Sequence, residues 1–287
     1  MSDISVIGLG KMGAALAVTL LENGYGVTVW NRSPDKAAAL TEKGAHAAAS
    51  LGAAVDASNV VIICVRNHHT SHQLLAGQES RLAGKVIIDL STGGAADAEK
   101  LVEMLTSAGA AWLIGMINAF PTGIGQPETA ILCAGPTDVW DRCGDIIRAL
   151  GGASAHVGTT AASVPGLFAA MFTARQAWMF GLIYGGAVCR KAGLPLSSFA
   201  EQIPVTMGVA QKYAEVFMET VPDGKYDGAN ATVAVYRDAL DDVMETFEAT
   251  ATADALPRLM RDLTQRAMDE GLQDKQLTAL VELVAKS

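Results

Sequence analysis

Cysteine is scarce in this chain. Cys64, Cys133, Cys143 and Cys189 are its four, far apart and without C-x-x-C or metal-ligand spacing. They read as buried thiols of a reducing compartment, and no metal site is expected from them. Basic clusters are absent as well. Lys and Arg total 21 against 30 Asp and Glu, a net charge of −9, whereas contacts to nucleic-acid phosphates need grouped cations. No nucleic-acid partner is expected. The first apolar strand begins at once, with no signal or transit stretch before it, so a cytoplasmic location is expected. One stretch tests a membrane reading: from Ala161 to Cys189 the chain is almost wholly apolar, with Arg175 as its sole charge. The length would allow a span of about 20 residues. Arg175 and Gln176 fall at its middle, however, where ionisable groups are costly in lipid. A helix apolar all round also suits the core of two domains or of a dimer. A buried helix outside any membrane is the expectation.

What the chain does have is a strand, a glycine turn and a helix in tight succession. Ile4, Val6 and Ile7 lead into Gly8-Leu9-Gly10-Lys11-Met12-Gly13, followed by a helical run from Ala14 to Glu22, a stop at Asn23-Gly24, and a second apolar strand, Val27 to Trp30. Such a turn lets the backbone approach a pyrophosphate, and the helix start offers it unpaired N–H groups. A lone G-x-G-x-x-G is weak evidence; here both strands and the helix fall at the required distances. A dinucleotide site is the reading.

The end of the second strand discriminates between dinucleotides. An NAD site usually carries Asp or Glu about 20 residues after the glycines, to accept from the ribose hydroxyls. This chain reads Asn31-Arg32-Ser33-Pro34-Asp35-Lys36. Arg32 can hold a 2′-phosphate through its planar fork of donors, Ser33 and Asn31 can add hydrogen bonds, and Lys36 adds charge. NADPH is the expected cofactor; the alternative is that Arg32 and Lys36 are ordinary solvated charges.

The length suits two domains rather than one dinucleotide-binding unit alone. Apolar strands are expected at Ser58–Val65, Lys85–Leu90, Trp112–Ile117 and Thr129–Ala134, which together form a doubly wound parallel sheet. Its ligand-binding loops would be Arg66–Ser71, Ser91–Ala95 and Asn118–Gln126. Cys64, Val65, Ser91, Thr92 and Asn118 are therefore further cofactor candidates. His68, His69 and His72 have no acid or cysteine partner nearby in sequence, so they read as surface or adenine-packing residues rather than metal ligands. After Gly158 no strand pattern remains. A long helix near Ser163–Lys191 precedes helical segments at about 196–222 and 230–253 and two more beyond. The fold class is α/β, a Rossmann-type sheet (1–161), an interdomain helix (162–192) and an all-helical C-terminal domain (193–287).

Where such a helix serves a hydroxyacid dehydrogenase, its first turns bear Lys and Asn. Here Val164 to Met171 carry no ionisable side chain, and no Lys occurs between Lys100 and Lys191. Alcohol oxidation needs a base near the hydroxyl. With Gly8–Gly13 and Trp30–Ser33, the segment Ile117-Asn118-Ala119-Phe120-Pro121-Thr122-Gly123-Ile124-Gly125-Gln126-Pro127-Glu128-Thr129 resembles the NADPH-dependent imine reductases, relatives of the β-hydroxyacid dehydrogenases. The likeness extends through Gly224–Tyr226, Ala231-Thr232, Ala255–Pro257 and Arg266–Gly271, over the whole chain. It implies hydride transfer to the carbon of a C=N bond, a small imine or amine as partner, and a domain-swapped homodimer. In such a dimer each cleft joins one chain's nucleotide domain to the other's helices.

The resemblance also exposes departures. Imine reductases commonly carry Asp or Tyr at the position that falls here on Phe168, and Tyr at the position of Gln176. Tyr236, which falls where relatives place a Gln or other cleft residue, is then the leading candidate for a polar group serving the amine, against the alternative of a core tyrosine. Gln176 is the second. Met171, Phe172, Met207 and Tyr213 are candidate cleft residues. A β-hydroxyacid or carbonyl oxidoreductase and a non-catalytic NADP-binding homologue remain as alternatives, separable by turnover of a hydroxyacid or of a cyclic imine.

Overall fold

The computed structural model describes residues 3–286. Its first compact unit runs to Phe172 and its second from Thr173. The first unit alternates strands and helices: β1 (Ile4–Ile7), α1 (Lys11–Glu22), β2 (Val27–Trp30), α2 (Asp35–Thr41), β3 (His46–Ala47), α3 (Leu51–Asp56), β4 (Val60–Ile63), α4 (His68–Leu75), β5 (Val86–Asp89), α5 (Ala95–Ser107), β6 (Ala111–Ile117), β7 (Ile131–Ala134), α6 (Thr137–Leu150) and β8 (Ala155–Gly158). The sheet order is β3-β2-β1-β4-β5-β6-β7-β8. All neighbouring pairs are parallel except β6 with β7.

Strand residues alternate between two buried cores, as the two-residue period requires. Ile4, Val6, Ile62 and Ile88 enter one; Ile7, Val61, Ile63 and Ile87 enter the other. Complete burial of each such side chain contributes roughly 1.5–3 kcal/mol. Because both faces are covered, the strands read as unbroken apolar runs, which is why sequence alone locates the six inner ones. The doubly wound sheet ends in β7 and β8, which run antiparallel to the strands before them. Two short strands escaped the sequence reading. Both residues of β3 are exposed, and β8, Ala-His-Val-Gly, is half-buried, so neither bears an apolar run.

The remaining elements are α7 (Ser163–Lys191), α8 (Leu196–Thr220), α9 (Val233–Ala249), α10 (Ala255–Asp269) and α11 (Leu280–Ala285). The two compact units part inside α7, because its first turns belong to the sheet's second core: Val164 is buried there, with Phe168 and Met171 packed against it. The expected burial of α7 is not found within a single chain. Only Val164 and Pro165 of its 29 residues are buried. In the second unit the core is small, centred on Val233, Ala267 and Leu283. Helices α9 and α10 are tied by Arg237, which donates through Nε to Gln265 (3.0 Å) and pairs with Asp241, itself bound by Arg261 at 2.8 Å. Arg261 first, then Arg237, holds the Asp241 carboxyl below its usual range.

Among the described residues no helix is long and apolar enough to cross a membrane, and no group of three or more His, Cys, Asp or Glu side chains is disposed to hold a metal ion.

Candidate functional site

In the order 3-2-1-4-5-6 the sequence of strand addition switches sides between β1 and β4, where open α/β sheets bind dinucleotides. A cavity of ≈ 610 Å³ opens there. Its wall includes Gly8, Gly10, Lys11, Met12 and Gly13 from the turn, Asn31, Arg32, Ser33 and Lys36 beyond β2, and Cys64 and Val65 beyond β4.

The three glycines answer to different demands. Gly8 has φ +93°, and a Cβ there would lie 2.3 Å from the Cys64 carbonyl oxygen. A Cβ on Gly13 would lie 1.9 Å from the Gly8 oxygen. Those two are required by the protein itself. Gly10 caps α1 in an ordinary extended conformation, and its missing Cβ would meet nothing within 4 Å. The open space beside it is where a phosphate could meet the start of α1. Gly10→Ala is therefore expected to keep the melting temperature of the ligand-free protein, yet weaken dinucleotide affinity about tenfold. Gly13→Ala should lower the melting temperature, since forced overpacking costs about 1–3 kcal/mol. Calorimetry and fluorescence titration of both variants check this. Equal melting losses would refute the division of roles.

Asn31 holds the turn in place: its Oδ1 accepts from the Leu9 N–H at 2.9 Å, and its Nδ2 donates to the Ser33 carbonyl. Leu9 is itself buried. That leaves Arg32, Ser33 and Lys36 exposed at the end of β2. The cavity is lined by the cations Lys11, Arg32, Lys36 and Arg66 and, among the described residues, by no carboxylate. In a chain of net charge −9, this is a locally positive site fitted to phosphates. Burial pushes the Cys64 thiol up to about 12, with the Asp89 charge adding to the effect. It is a neutral wall residue, not a nucleophile.

Of the other candidates, Ser91 is buried, and its hydroxyl accepts from the Val65 N–H at 3.1 Å. Thr92 is exposed and donates to the Arg66 carbonyl. The Asn118 N–H donates to the Ala130 carbonyl. None of these three lines the cavity. The predicted ligand-binding loop Arg66–Ser71 supplies Arg66 and Thr70 to the wall, whereas sequence reasoning did not single out Trp30, Gln73 and Leu74. It treated residues 67–72 as a loop, whereas His68–Leu75 is a helix capped by Asn67, whose Oδ1 accepts from the Thr70 N–H. Asn67 was the available signal. The view that the histidines lack an acid partner is also corrected. His68 is buried with its Nδ1 2.9 Å from Asp89, which follows 21 residues later and is out of sight of local sequence.

The cleft candidates fall into two groups. In the first unit Phe168 stacks on Phe172 (5.2 Å between centroids), and Met171 packs with Phe168 against the sheet's second core. In the second, Tyr213 and Tyr236 line one apolar cavity of ≈ 700 Å³ with Phe217, Leu240, Met260 and Leu263. Burial, and then the neighbouring Tyr236, raises the Tyr213 phenol above its ordinary range, so it is a hydrogen-bond donor at neutral pH. Met207 lies outside that cavity and is 54% exposed. Gln176 is half-buried on α7.

Comparison with known proteins agrees with this geometry. Residues 3–158 match the NAD-binding domain of 6-phosphogluconate dehydrogenase. Residues 166–286 match the C-terminal domain of the NADPH-dependent reductive aminase-like proteins. An NADPH-dependent reductive aminase of Aspergillus oryzae is 27% identical over 97% of this chain and 96% of its own. Among solved structures, an imine reductase from Myxococcus stipitatus in complex with NADP+ superposes with TM-score 0.92 at 28% identity, over 98% of this chain and 99% of that one. A reductive aminase from Aspergillus terreus in complex with NADPH4, cyclohexanone and allyl amine gives 0.89 at 27%, over 99% of both. Over its larger part, residues 3–158, the chain belongs to the family of 6-phosphogluconate dehydrogenase-type NAD-binding domains, and it joins this to a C-terminal domain that matches the reductive aminase-like proteins.

Proposed function

We propose that this chain reduces C=N bonds of small imines to amines with NADPH, and supports reductive amination of a ketone with an amine. The observation that carries the cofactor choice is the acid-free cavity walled by Arg32, Ser33 and Lys36 beside a glycine turn with room for a pyrophosphate. NADPH, when bound, supplies the hydride. The chain's part is to orient the two reactants and exclude water.

An iminium is already cationic, so accepting hydride at its carbon demands no simultaneous proton. A phenylalanine at position 168 is compatible with that chemistry. The Phe168–Phe172 pair offers π-faces to a cation, worth about 0.5–2 kcal/mol, in place of the family's usual carboxyl or phenol. Tyr236, with Tyr213 beside it, supplies a hydrogen bond to the amine nitrogen, and Gln176 is the next candidate. Loss of one such bond costs about 0.5–1.5 kcal/mol. Tyr236→Phe should therefore lower kcat by roughly 2- to 12-fold, with NADPH affinity unchanged. An unaltered kcat would remove Tyr236 from the reaction and leave Gln176 or water.

We further propose a cytoplasmic homodimer in which the helical unit of each chain completes the partner's site. The direct test of function is NADPH oxidation with a cyclic imine, and with a ketone plus amine. No turnover of any cyclic imine at saturating NADPH would overturn the assignment.

A further inference from the structure

Asp89 ends β5 with its side chain fully buried, where a carboxylate without partners is strongly disfavoured. Three donors meet it. His68 Nδ1 lies 2.9 Å from Oδ2, while Ser71 Oγ and the Ser91 N–H each lie 3.1 Å from Oδ1. His68, Ser71 and Ser91 are buried as well. Ser91 Oγ accepts from the Val65 N–H and stands 3.1 Å from Ser71 Oγ. The donors can therefore run in one direction, from the Val65 N–H to Ser91, to Ser71, and into the carboxylate. The chain begins at a wall residue of the nucleotide cavity.

The same network joins two loops. The His68 N–H donates to the Thr92 carbonyl, Thr92 Oγ1 donates to the Arg66 carbonyl, and Asn67 bridges Thr92 in parallel. Gly93 lies against the His68 ring so closely that a Cβ would come within 2.7 Å. Both loops leave the carboxyl ends of β4 and β5, on the far side of β1 from Arg32. In a doubly wound sheet the second half of the dinucleotide lies on that side of the crevice.

We propose that Asp89 is a positioning residue for the nicotinamide half of NADPH, acting through His68, Ser71 and Ser91 on the loops at Val65–Arg66 and Thr92–Gly93. The inference rests on the NADPH reading above. It makes a separable demand on the two halves of the cofactor, because the adenosine 2′-phosphate half is held by Arg32, Ser33 and Lys36.

The test compares NADPH with adenosine 2′,5′-bisphosphate, which lacks the nicotinamide half, by fluorescence and calorimetric titration. Ser91→Ala severs the chain of donors at Val65 with the loss of a single hydroxyl. Asp89→Leu removes the acceptor at its other end. Each is expected to raise the Kd for NADPH about tenfold, the scale of a lost hydrogen bond, and to leave the bisphosphate within about twofold. Ser91→Thr, which keeps the hydroxyl, should restore NADPH binding. If Asp89→Leu does not fold, the Ser91 pair decides. Equal weakening of both ligands, or weakening of neither, overturns the proposal. Wild-type protein that binds the bisphosphate but gains nothing from the nicotinamide half also overturns it, with the 2′-phosphate reading intact. Wild-type protein that binds neither overturns the NADPH reading and the proposal with it.

Discussion

Arg32→Ala is expected to bind NADPH about 10- to 150-fold more weakly while its affinity for NADH barely changes, the equivalent of a charge-assisted hydrogen bond worth roughly 1.5–3 kcal/mol. Asn31 already spends its amide on the Leu9 N–H and the Ser33 carbonyl. Recognition of a 2′-phosphate therefore falls to Arg32, Ser33 and Lys36, all exposed around the cavity. No carboxylate lines that wall to repel the phosphate or accept from the ribose hydroxyls in its place. Because Arg32 is solvated, the effect should shrink as salt rises, with screening over about 8–10 Å at 0.1–0.15 M. Titrations of both cofactors at two ionic strengths measure it. An equal loss for NADPH and NADH would show that Arg32 does not read the 2′-phosphate.

The nucleotide half of the site was legible because its constraints are local. Gly8 and Gly13 are imposed by backbone contacts within a few residues of the turn or at the adjoining strand end, and Arg32 follows directly from β2. Features that depend on distant residues were not legible. Nothing near His68 predicts Asp89, since the two meet only when β5 is laid beside β4. Ser91 illustrates the same limit. Its place after a strand marks it for the cofactor, yet its hydroxyl is turned inward to Val65. Helix α7 reads as buried from its apolar composition, while the folded chain leaves Phe180 52% and Ile183 63% exposed. Composition reports that a surface must be covered, not which molecule covers it.

That mismatch leads to the second large effect. Phe180→Glu combined with Ile183→Glu is expected to give a monomer that has lost more than 90% of its imine reductase activity. Helix α7 has 29 residues, about 43 Å at about 1.5 Å each, and beyond Pro165 none of its residues is buried. On α8, Val205, Val209 and Met218 are each at least 64% exposed. Monomers seldom expose contiguous apolar patches above a few hundred Å², and these exposed side chains on α7 and α8 call for cover. Self-complementary pairing about a two-fold axis is the commonest way to cover such a face. Two added carboxylates one turn apart on α7 would have to be desolvated on pairing, which costs more than the contact returns. Sedimentation at assay concentration measures the assembly. A wild-type chain that is monomeric and fully active would end the dimer proposal. Exchange of units between partners has its own test. A Gly10→Asp chain, unable to hold the pyrophosphate, is co-expressed with a Tyr236→Arg chain that fills the helical cavity. If each is inactive alone, their mixture regains activity only when one chain's nucleotide unit works with the other's helices. No recovery from a mixture that does form heterodimers would show that each chain builds its own site.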